Sequence, residues 1–334
     1  MSDKTTDGRC VTMKAFMVTE HNSPPEFMEI EITPPDAGEV QIAVRACALN
    51  FADLLMIKGT YQATPPLPFV LGMEVAGEIL APDADAPLPL GWQAGDRVAA
   101  VIGHGGLAQR ANIPAALAVK IPESMSYEQA SAFQIAYGTS HLALDHRAGL
   151  KAGETLVVLG AAGGVGLTAV EIGKRMGARV IACARGAQKL AIAKAAGADE
   201  VLDVTLPDLR DQLKSLGGAD VIYDAIGGDA GTQAARALNR GGRYLVIGFA
   251  AGGHPDIALN HALVKNITIH GVYWGGYSEL APQVLRHSLA QLFDWFCAGD
   301  LRPHISEVFP LDQAHEALDY LRTRKSTGKI VLRV

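Results

Sequence analysis

Hydrophobic and polar positions alternate over short distances in the first third of the chain. From residue 13 to about 125, short apolar runs are separated by turns that are rich in Pro and Gly. This pattern is typical of β strands joined by tight connections. It predicts a mostly β domain with little helix, whose clearest strands are expected at 40–45, 75–80 and 97–102.

From about residue 128 the period changes, and apolar runs alternate with segments of helical spacing. Such alternation predicts a parallel sheet with helices on both faces. Six strands match a doubly wound dinucleotide-binding fold, so the predicted fold class is α/β. The strands are predicted at 155–159, 178–184, 199–204, 219–226, 243–249 and 267–274, and the helices at 165–176, 187–196, 207–216 and 230–239.

The C-terminal part predicts a long helix, a short helix and a closing strand. Apolar residues fall at helical spacing from Leu280 to Phe296, which predicts a buried stripe on one helix. A helix at 312–323 and a strand-like ending at 329–334 follow. We therefore expect a discontinuous first domain, formed by 1–127 (with 1–12 as a loose tail) and 271–334, around a dinucleotide-binding domain at 128–270.

Composition narrows the classes of function. The 334 residues are 49% hydrophobic and 19% charged, which suffices for two domains with full cores. A net charge of −6 without any basic block argues against nucleic acid or an anionic membrane as a partner. The apolar runs are shorter than the roughly 20 residues of a membrane span, and the N-terminus has no apolar signal core. We expect a cytoplasmic protein.

The cysteines do not suggest a metal site. Cys10, Cys47, Cys183 and Cys297 are far apart in sequence and form no C-x-x-C pair. The spacing of a structural zinc lobe is therefore absent. We expect reduced thiols, with Cys183 in a buried strand.

The segment 155–185 predicts a strand, a glycine turn, a helix and a second strand. Its turn, residues 161–166, matches G-x-G-x-x-G with alanine at the first position. Gly163 would let the backbone approach a pyrophosphate, and Gly166 would let the helix pack closely on the strand. An ordinary turn could contain these glycines, but the flanking elements favour dinucleotide binding at the helix N-terminus.

The residues after the second strand bear on the choice of cofactor. An NAD site usually has an acidic residue about 20 residues after the glycine turn. Between Ile172 and Ala198 there is no Asp or Glu, whereas Arg185 and Lys189 follow the strand. A guanidinium suits a 2′-phosphate in charge and geometry. This favours NADPH, the alternative being that both cations are solvated residues at a helix start.

Several stretches together resemble a known family. Residues 48–79, the AGDRV at 94–98 and the glycine turn resemble the medium-chain dehydrogenase/reductase superfamily, and within it the zinc-free quinone oxidoreductase branch that includes zeta-crystallin. The resemblance extends from Met13 to Val334. It implies a mostly β GroES-like domain joined to a six-stranded Rossmann domain.

Two positions separate this chain from the zinc alcohol dehydrogenases that it otherwise resembles. Asn50 stands where those enzymes have a Cys ligand, and Met73 stands where a His precedes Glu74. No metal is therefore expected. Without a Lewis acid an alkoxide could not be held for oxidation, so the expected acceptor takes hydride unaided, as a quinone or an activated C=C bond does.

The resemblance also implies residue roles. Asn50 and Asp53 would form the floor of the nicotinamide cleft, although they could instead only stabilise a turn. Tyr61 would flank the substrate, although it could instead be a packed surface aromatic residue. Leu55 and Val204 replace aromatic or polar residues common in the branch. The expected cofactor-binding residues are Asn50, Thr139, Ala162, Gly163, Gly164, Val165, Arg185, Lys189, Gly248, Phe249, Ala250, Val272, Tyr273 and Trp274.

The function implied is NADPH-dependent reduction of a quinone. An alternative is reduction of an α,β-unsaturated carbonyl, such as an enal, an enone or an acrylyl thioester, by the same cofactor. A non-catalytic NADPH-binding protein also stays open, because crystallin relatives are recruited structurally. The expected partners are a small-molecule electrophile and further copies of the chain, since the resemblance implies a dimer or tetramer formed through the apolar sheet edge at 267–274.

Overall fold

The computed structural model describes residues 11–82 and 87–334. Of the expected loose tail at 1–12, residues 1–10 lie outside the described part, and Thr12 already begins a strand. Contacts divide the described chain into two compact units. The first comprises 11–132, 307–325 and 330–334, and the second comprises 133–306 and 326–329.

The first unit is built mainly from strands, as predicted. Within the described residues, β1, β2 and β4 form one sheet and the other strands form a larger sheet in the order β15-β16-β3-β5-β6-β8, with β7 also paired to β3. The strands are β1 (Thr12–Val18), β2 (Glu26–Glu31), β3 (Glu39–Leu49), β4 (Phe69–Val70), β5 (Glu74–Ile79), β6 (Arg97–Val101), β7 (Arg110–Pro114), β8 (Val119–Lys120), β15 (Ile305–Pro310) and β16 (Lys329–Arg333), and the helices are α1 (Phe51–Ile57), α2 (Tyr127–Ser131) and α11 (Ala314–Arg322).

Strand β3 is the centre of the larger sheet. Val40, Ile42 and Val44 alternate with less buried residues, as expected for a strand with one covered face. Its last four residues are all buried, and they pair with β5 on one side and with β16 on the other. The C-terminal end of β3 is therefore held rigidly where Asn50 follows.

The second unit is a doubly wound α/β domain, which confirms the predicted fold class. Its parallel sheet has the order β11-β10-β9-β12-β13-β14, which is the 3-2-1-4-5-6 order of dinucleotide-binding folds. The strands are β9 (Thr155–Leu159), β10 (Arg179–Ala184), β11 (Glu200–Asp203), β12 (Ala219–Asp224), β13 (Leu238–Val246) and β14 (Thr268–Gly271), and the helices are α3 (Gln134–His141), α4 (Gly164–Arg175), α5 (Ala187–Ala195), α6 (Leu209–Ser215), α7 (Gly228–Arg236), α8 (Leu259–Lys265), α9 (Tyr277–Leu280) and α10 (Pro282–Cys297).

The core of this unit lies between the sheet and its helices. Apolar residues of the central strands pack against Leu209 and Leu213 of α6 and against Ala234 and Ala235 of α7. The near-continuous burial of β9 and β10 is typical of strands covered on both faces. This packing fixes the carboxyl ends of the strands at one edge, where ligands bind in such sheets.

The C-terminal helix differs from its prediction at its start. The apolar stripe was expected from Leu280, but Ala281 leaves the helical conformation and α10 begins at Pro282. Proline lacks the N–H that a continuing helix needs and suits the first helical turn. Leu280 therefore ends the separate helix α9 and is 74% exposed, whereas Leu285 and Leu292 are buried.

The chain also returns to the first unit later than expected. The return was placed at residue 271, but the contacts place it at 307. The reason is that α10 packs against α3 inside the second unit, where Phe293 stacks on Phe133 with ring centroids 5.2 Å apart. Among the described residues, no helix is long and apolar enough to cross a membrane.

Candidate functional site

The glycine turn after β9 leads directly into the start of a helix. Gly160 has a φ of +75° and donates its N–H to the Cys183 carbonyl at 3.0 Å. Gly163 precedes α4, and Gly164 is the first residue of that twelve-residue helix. The first N–H groups of a helix lack intrahelical partners and carry the positive end of the dipole. The turn can therefore receive an anionic group.

Gly166 is required for this geometry. A Cβ atom there would lie 2.1 Å from the Gly160 carbonyl oxygen. Any side chain would therefore push α4 away from β9 and open the turn. The close approach is the role that the sequence pattern assigned to this glycine.

A short C-terminal segment packs against the same turn. Gly328 donates its N–H to the Ala162 carbonyl at 2.8 Å. Lys329 is only 7% exposed, and its Cδ atom lies 3.2 Å from where a Cβ would stand on Gly164. A cationic side chain thus lies beside the helix start. Sequence reasoning missed Lys329 because it is distant along the chain and no local motif marks it.

Asp224, at the end of β12, organises the neighbouring loop. Its Oδ1 accepts the N–H groups of Ile226 at 2.9 Å and Gly227 at 2.8 Å, and its Oδ2 accepts the hydroxyl of Tyr244. The carboxylate is 2% exposed. Ile226 in turn contacts the glycine turn, because a Cβ on Gly160 would lie 2.8 Å from its Cγ2. No sequence pattern indicated this arrangement.

The segment after β13 is attached to the same loop. Gly248 donates to the Asp224 carbonyl at 3.2 Å, and Ala250 donates to the Ala225 carbonyl at 3.3 Å. Phe249 is partly exposed and packs edge-on against His254, with centroids 4.3 Å apart. The structure thus places Gly248, Phe249 and Ala250 at the carboxyl edge of the sheet, beside the loop after β12.

The segment after β14 reaches helix α3. Val272 donates its N–H to the Val246 carbonyl at 3.1 Å and is buried, whereas Tyr273 is exposed. The indole of Trp274 lies on α3, since a Cβ on Gly138 would be 2.5 Å from its Nε1. Trp274 is therefore brought to the residue that precedes Thr139.

Two buried donors in this region find no acceptor within the described residues. They are Trp274 Nε1 and Gln134 Nε2. Gln134 and Gly138 are four residues apart on α3 and therefore share a helix face. Buried donors are normally hydrogen-bonded, so these two mark a place suited to an acceptor group of a ligand or to water.

Thr139 is positioned through its neighbour Ser140. The Ser140 hydroxyl donates to the Val165 carbonyl at 2.8 Å and contacts the hydroxyls of Thr168 at 2.8 Å and Tyr223 at 2.9 Å. Ser140 and Tyr223 are fully buried. The network ties α3 to the start of α4 and to β12, so Thr139 has a fixed place relative to the glycine turn.

As predicted, Arg185 directly follows β10 and Lys189 comes after it, in the first turn of α5. Arg185 is exposed and Lys189 is partly buried. Val204 packs against the apolar core of the unit. The structure adds a residue that the sequence reading overlooked. Asp203 ends the adjacent strand β11, and its Oδ2 accepts the Gly186 N–H at 3.0 Å.

In the first unit, Asn50 and Asp53 lie together at the start of α1. The Asn50 N–H donates to Asp53 Oδ2 at 2.7 Å, which is the capping arrangement of a helix N-terminus. The Asn50 amide donates to Glu74 Oε2 at 3.3 Å. Asp53 and Glu74 are both fully buried. Asp53 therefore fixes Asn50 in place, whatever else it does.

Tyr61 lies on the loop after α1, apart from this cluster in sequence. Its carbonyl accepts the N–H and the hydroxyl of Thr64, at 3.2 and 2.8 Å, and its ring is partly buried. These bonds fix the backbone of the loop. Met73 is buried beside Glu74. Across 11–82 and 87–334, no group of three or more His, Cys, Asp or Glu residues is arranged to hold a metal ion.

The two units match known families, and the whole chain has similar relatives. Residues 36–123 match the alcohol dehydrogenase GroES-like domain, and residues 164–290 match the family described as zinc-binding dehydrogenase. The quinone oxidoreductase-like protein 2 homolog of Nematostella vectensis is 40% identical over 301 residues, which are 88% of this chain and 81% of that protein. The chain belongs to the quinone oxidoreductase family of medium-chain dehydrogenases/reductases.

Solved structures agree with this assignment. The quinone oxidoreductase of Thermus thermophilus, described also in complex with NADPH, is 32% identical and has a TM-score of 0.86, covering 96% of this chain and all of that one. A structure described as an NAD-dependent alcohol dehydrogenase is 28% identical with a TM-score of 0.86, at the same coverage. The zinc-binding description covers the second unit of this oxidoreductase, whereas Asn50 and Met73 lie in the first.

Proposed function

We propose that this oxidoreductase reduces a quinone with NADPH and without a metal ion. The observation that carries the proposal is the turn at Gly160–Gly166. A side chain at Gly166 would clash with the Gly160 carbonyl oxygen, and the start of α4 that follows suits an anionic group. The Thermus thermophilus relative described in complex with NADPH supports the same cofactor. When bound, the reduced nicotinamide supplies the hydride.

The residues of the second unit fit such a dinucleotide. The glycine turn, with Ala162 and Val165 on either side of Gly163 and Gly164, suits the pyrophosphate, and the buried Lys329 adds positive charge beside it. The two buried donors, Trp274 Nε1 and Gln134 Nε2, suit a carboxamide or another acceptor. The segments 248–250 and 272–274 and Thr139 complete the proposed set.

NADPH rather than NADH is proposed because of Arg185 and Lys189. The Arg185 guanidinium is exposed directly after β10, where this fold places the adenosine ribose. A fork of N–H donors suits a 2′-phosphate. Substitution of Arg185 is therefore expected to weaken binding of NADPH much more than binding of NADH.

The residues of the first unit favour an acceptor that needs no Lewis acid. Asn50 and Met73 offer no imidazole or thiolate, and the Asn50 amide is oriented by Glu74. A quinone accepts a hydride and a proton without prior activation by a metal, whereas an alcohol must first lose its proton. We assign Asn50 to orient the acceptor, Asp53 to hold Asn50, and Tyr61 or solvent to supply the proton.

The test is oxidation of NADPH followed at the nicotinamide absorbance, with a p-quinone and an enone in parallel and with NADH as the control. Quinone turnover with NADPH, reduced at least tenfold in Arg185→Ala, is expected. Turnover of the enone alone would replace the proposed acceptor by an α,β-unsaturated carbonyl. Tight NADPH binding without turnover of either would favour a non-catalytic binding protein.

A further inference from the structure

An acidic residue from a neighbouring strand lies beside Arg185. Asp203 ends β11, which runs parallel to β10, and the two strands pair with Ala184 opposite Asp203. The Oδ2 atom accepts the Gly186 N–H at 3.0 Å. Gly186 directly follows Arg185, so the carboxylate lies one peptide unit from the backbone of the proposed ribose-binding arginine.

This carboxylate is fixed in position and ionised. Its Oδ1 accepts the Thr205 N–H at 2.9 Å and the Thr205 hydroxyl at 2.8 Å. The bonds from Thr205, and then the one from Gly186, hold the pKa of Asp203 below its ordinary value. Within the described residues the Arg185 guanidinium forms no salt bridge, so Asp203 does not neutralise it.

A fixed carboxylate acts in opposite directions on the two nucleotides. A ribose 2′-OH can donate a hydrogen bond to a carboxylate, which is how acidic residues favour NAD in this fold. A 2′-phosphate is an anion with only acceptor oxygens at neutral pH, so a nearby carboxylate repels it. Asp203 would therefore oppose the preference for NADPH over NADH that Arg185 and Lys189 create.

We propose that Asp203 is a specificity-determining residue that narrows the preference for NADPH and lets the protein bind NADH as well. The proposal rests on the proposed cofactor site in the second unit. The absence of an acidic residue after β10 in the sequence does not make the site purely cationic, since the sheet order supplies one from β11.

The test is titration calorimetry of NADPH and NADH with the wild-type protein and with Asp203→Asn. Asparagine has nearly the same shape and removes the charge, but its single carbonyl oxygen replaces only one of the two acceptor oxygens, so either the Gly186 N–H or the Thr205 N–H loses its acceptor. The ratio of the NADH dissociation constant to the NADPH dissociation constant is expected to rise about three- to tenfold, as for charges roughly 6 Å apart in a solvated site.

Asp199→Asn is the matched control. Asp199 also uses its carboxylate to accept a backbone N–H of β10, that of Val180 at 2.8 Å, but at the opposite end of the strand. Asp199→Asn changes the net charge of the protein by the same amount, and it should leave the ratio of the NADH and NADPH dissociation constants unchanged. Asp203→Ser is a second neutral variant, for which the same rise is expected should Asp203→Asn fold poorly.

If Asp203→Asn or Asp203→Ser folds and its ratio of NADH to NADPH dissociation constants is unchanged or lower, the proposed role of Asp203 is overturned, even where the wild type binds both nucleotides tightly. A rise of the same size in Asp199→Asn would overturn it as well, since the effect would then follow net charge alone. Failure of the wild type to bind either nucleotide would instead overturn the proposed function, and this assignment with it.

Discussion

At the scale of single residues, Gly166 is the described glycine of the second unit that leaves the least room for a side chain. Gly166→Ala would place a methyl group 2.1 Å from the Gly160 oxygen, so α4 must move away from β9. We expect at least a tenfold loss of NADPH affinity and about 1–3 kcal/mol of lost stability, as for overpacking in a core. Calorimetric titration and urea unfolding measure the two effects.

Gly271→Ala is the control for this substitution. A Cβ at Gly271 would meet no heavy atom within 4 Å, so the added methyl group should change neither quantity. Equal nucleotide affinity in Gly166→Ala and in the wild type would show that the turn does not hold the nucleotide.

Asp224 gives a second prediction, because it satisfies three buried or partly buried donors at once. Asp224→Ala leaves the N–H groups of Ile226 and Gly227 without an acceptor, so we expect a loss of about 3–5 kcal/mol in the free energy of unfolding. Asp224→Asn retains an acceptor and should lose about 1 kcal/mol. Urea unfolding measures both, and equal losses would contradict the assigned role.

The residues that local sequence could reveal were those inside one motif. The glycine turn and Arg185 were found because a strand, a turn and a helix follow each other directly in the chain. Asp203 and Lys329 were missed because they lie on strands that are distant in sequence from the motif. The fold brings Asp203 to Gly186 and Lys329 to Gly164. Asp224 was missed because its partners are backbone N–H groups, which no side-chain pattern reports.

At the scale of elements, α3 and α4 are joined by a partly buried acid, Glu171. Tyr137 on α3 donates to Glu171 Oε2 at 2.5 Å, and the Arg302 N–H donates to Oε1. Burial raises the pKa of Glu171 above 4.5, its ordinary value, although both hydrogen bonds act in the other direction. The folded protein therefore holds this proton at a pH where the unfolded chain has released it.

The sign of the resulting pH effect follows from linkage. Where the folded state binds more protons than the unfolded state, stability falls as pH rises. The stabilisation is complete below about pH 4.5 and is lost as pH rises through the raised pKa. The free energy of unfolding of the wild type should therefore decrease as pH rises, relative to that of Glu171→Gln. Parallel urea unfolding at several pH values measures this, and a parallel pH dependence in the two proteins would contradict it.

Most strands and helices of the second unit were predicted from the periodicity of apolar residues alone. The strands predicted at 155–159 and 178–184 were found as β9 and β10, because buried parallel strands are continuous apolar runs. The helix boundary at Pro282 was missed because the apolar spacing continues through it. The backbone break at Ala281 is set by the following proline, not by the spacing of apolar residues.

At the scale of the whole molecule, the edge of the parallel sheet leaves apolar surface uncovered within the described chain. Among the described strands, β14 pairs only with β13. Leu259 and Leu263 on α8 are each 77% exposed, and Ile269 on β14 is 43% exposed. Large apolar side chains exposed near an open sheet edge are typical of an interaction site. We propose that a second copy of the chain covers it in a two-fold dimer.

Leu263→Asp tests this proposal. A charge in the centre of the proposed interface should shift the protein from dimer to monomer, as measured by light scattering after size exclusion. Leu117→Asp is the control, because Leu117 is 43% exposed but lies in the first unit. A wild-type monomer, or an unchanged dimer in Leu263→Asp, would exclude this edge as the interface.

The function that we propose for this chain is hydride transfer from NADPH to a quinone without a metal ion. The most direct measurement is single-turnover oxidation of NADPH by a p-quinone, using protein dialysed against a chelator and checked for zinc by elemental analysis. We expect an undiminished rate with less than ~0.1 zinc ion per chain, a level at which a structural or catalytic zinc site would be excluded. Loss of the rate on chelation and its return with zinc would rule out the proposed metal-free hydride transfer.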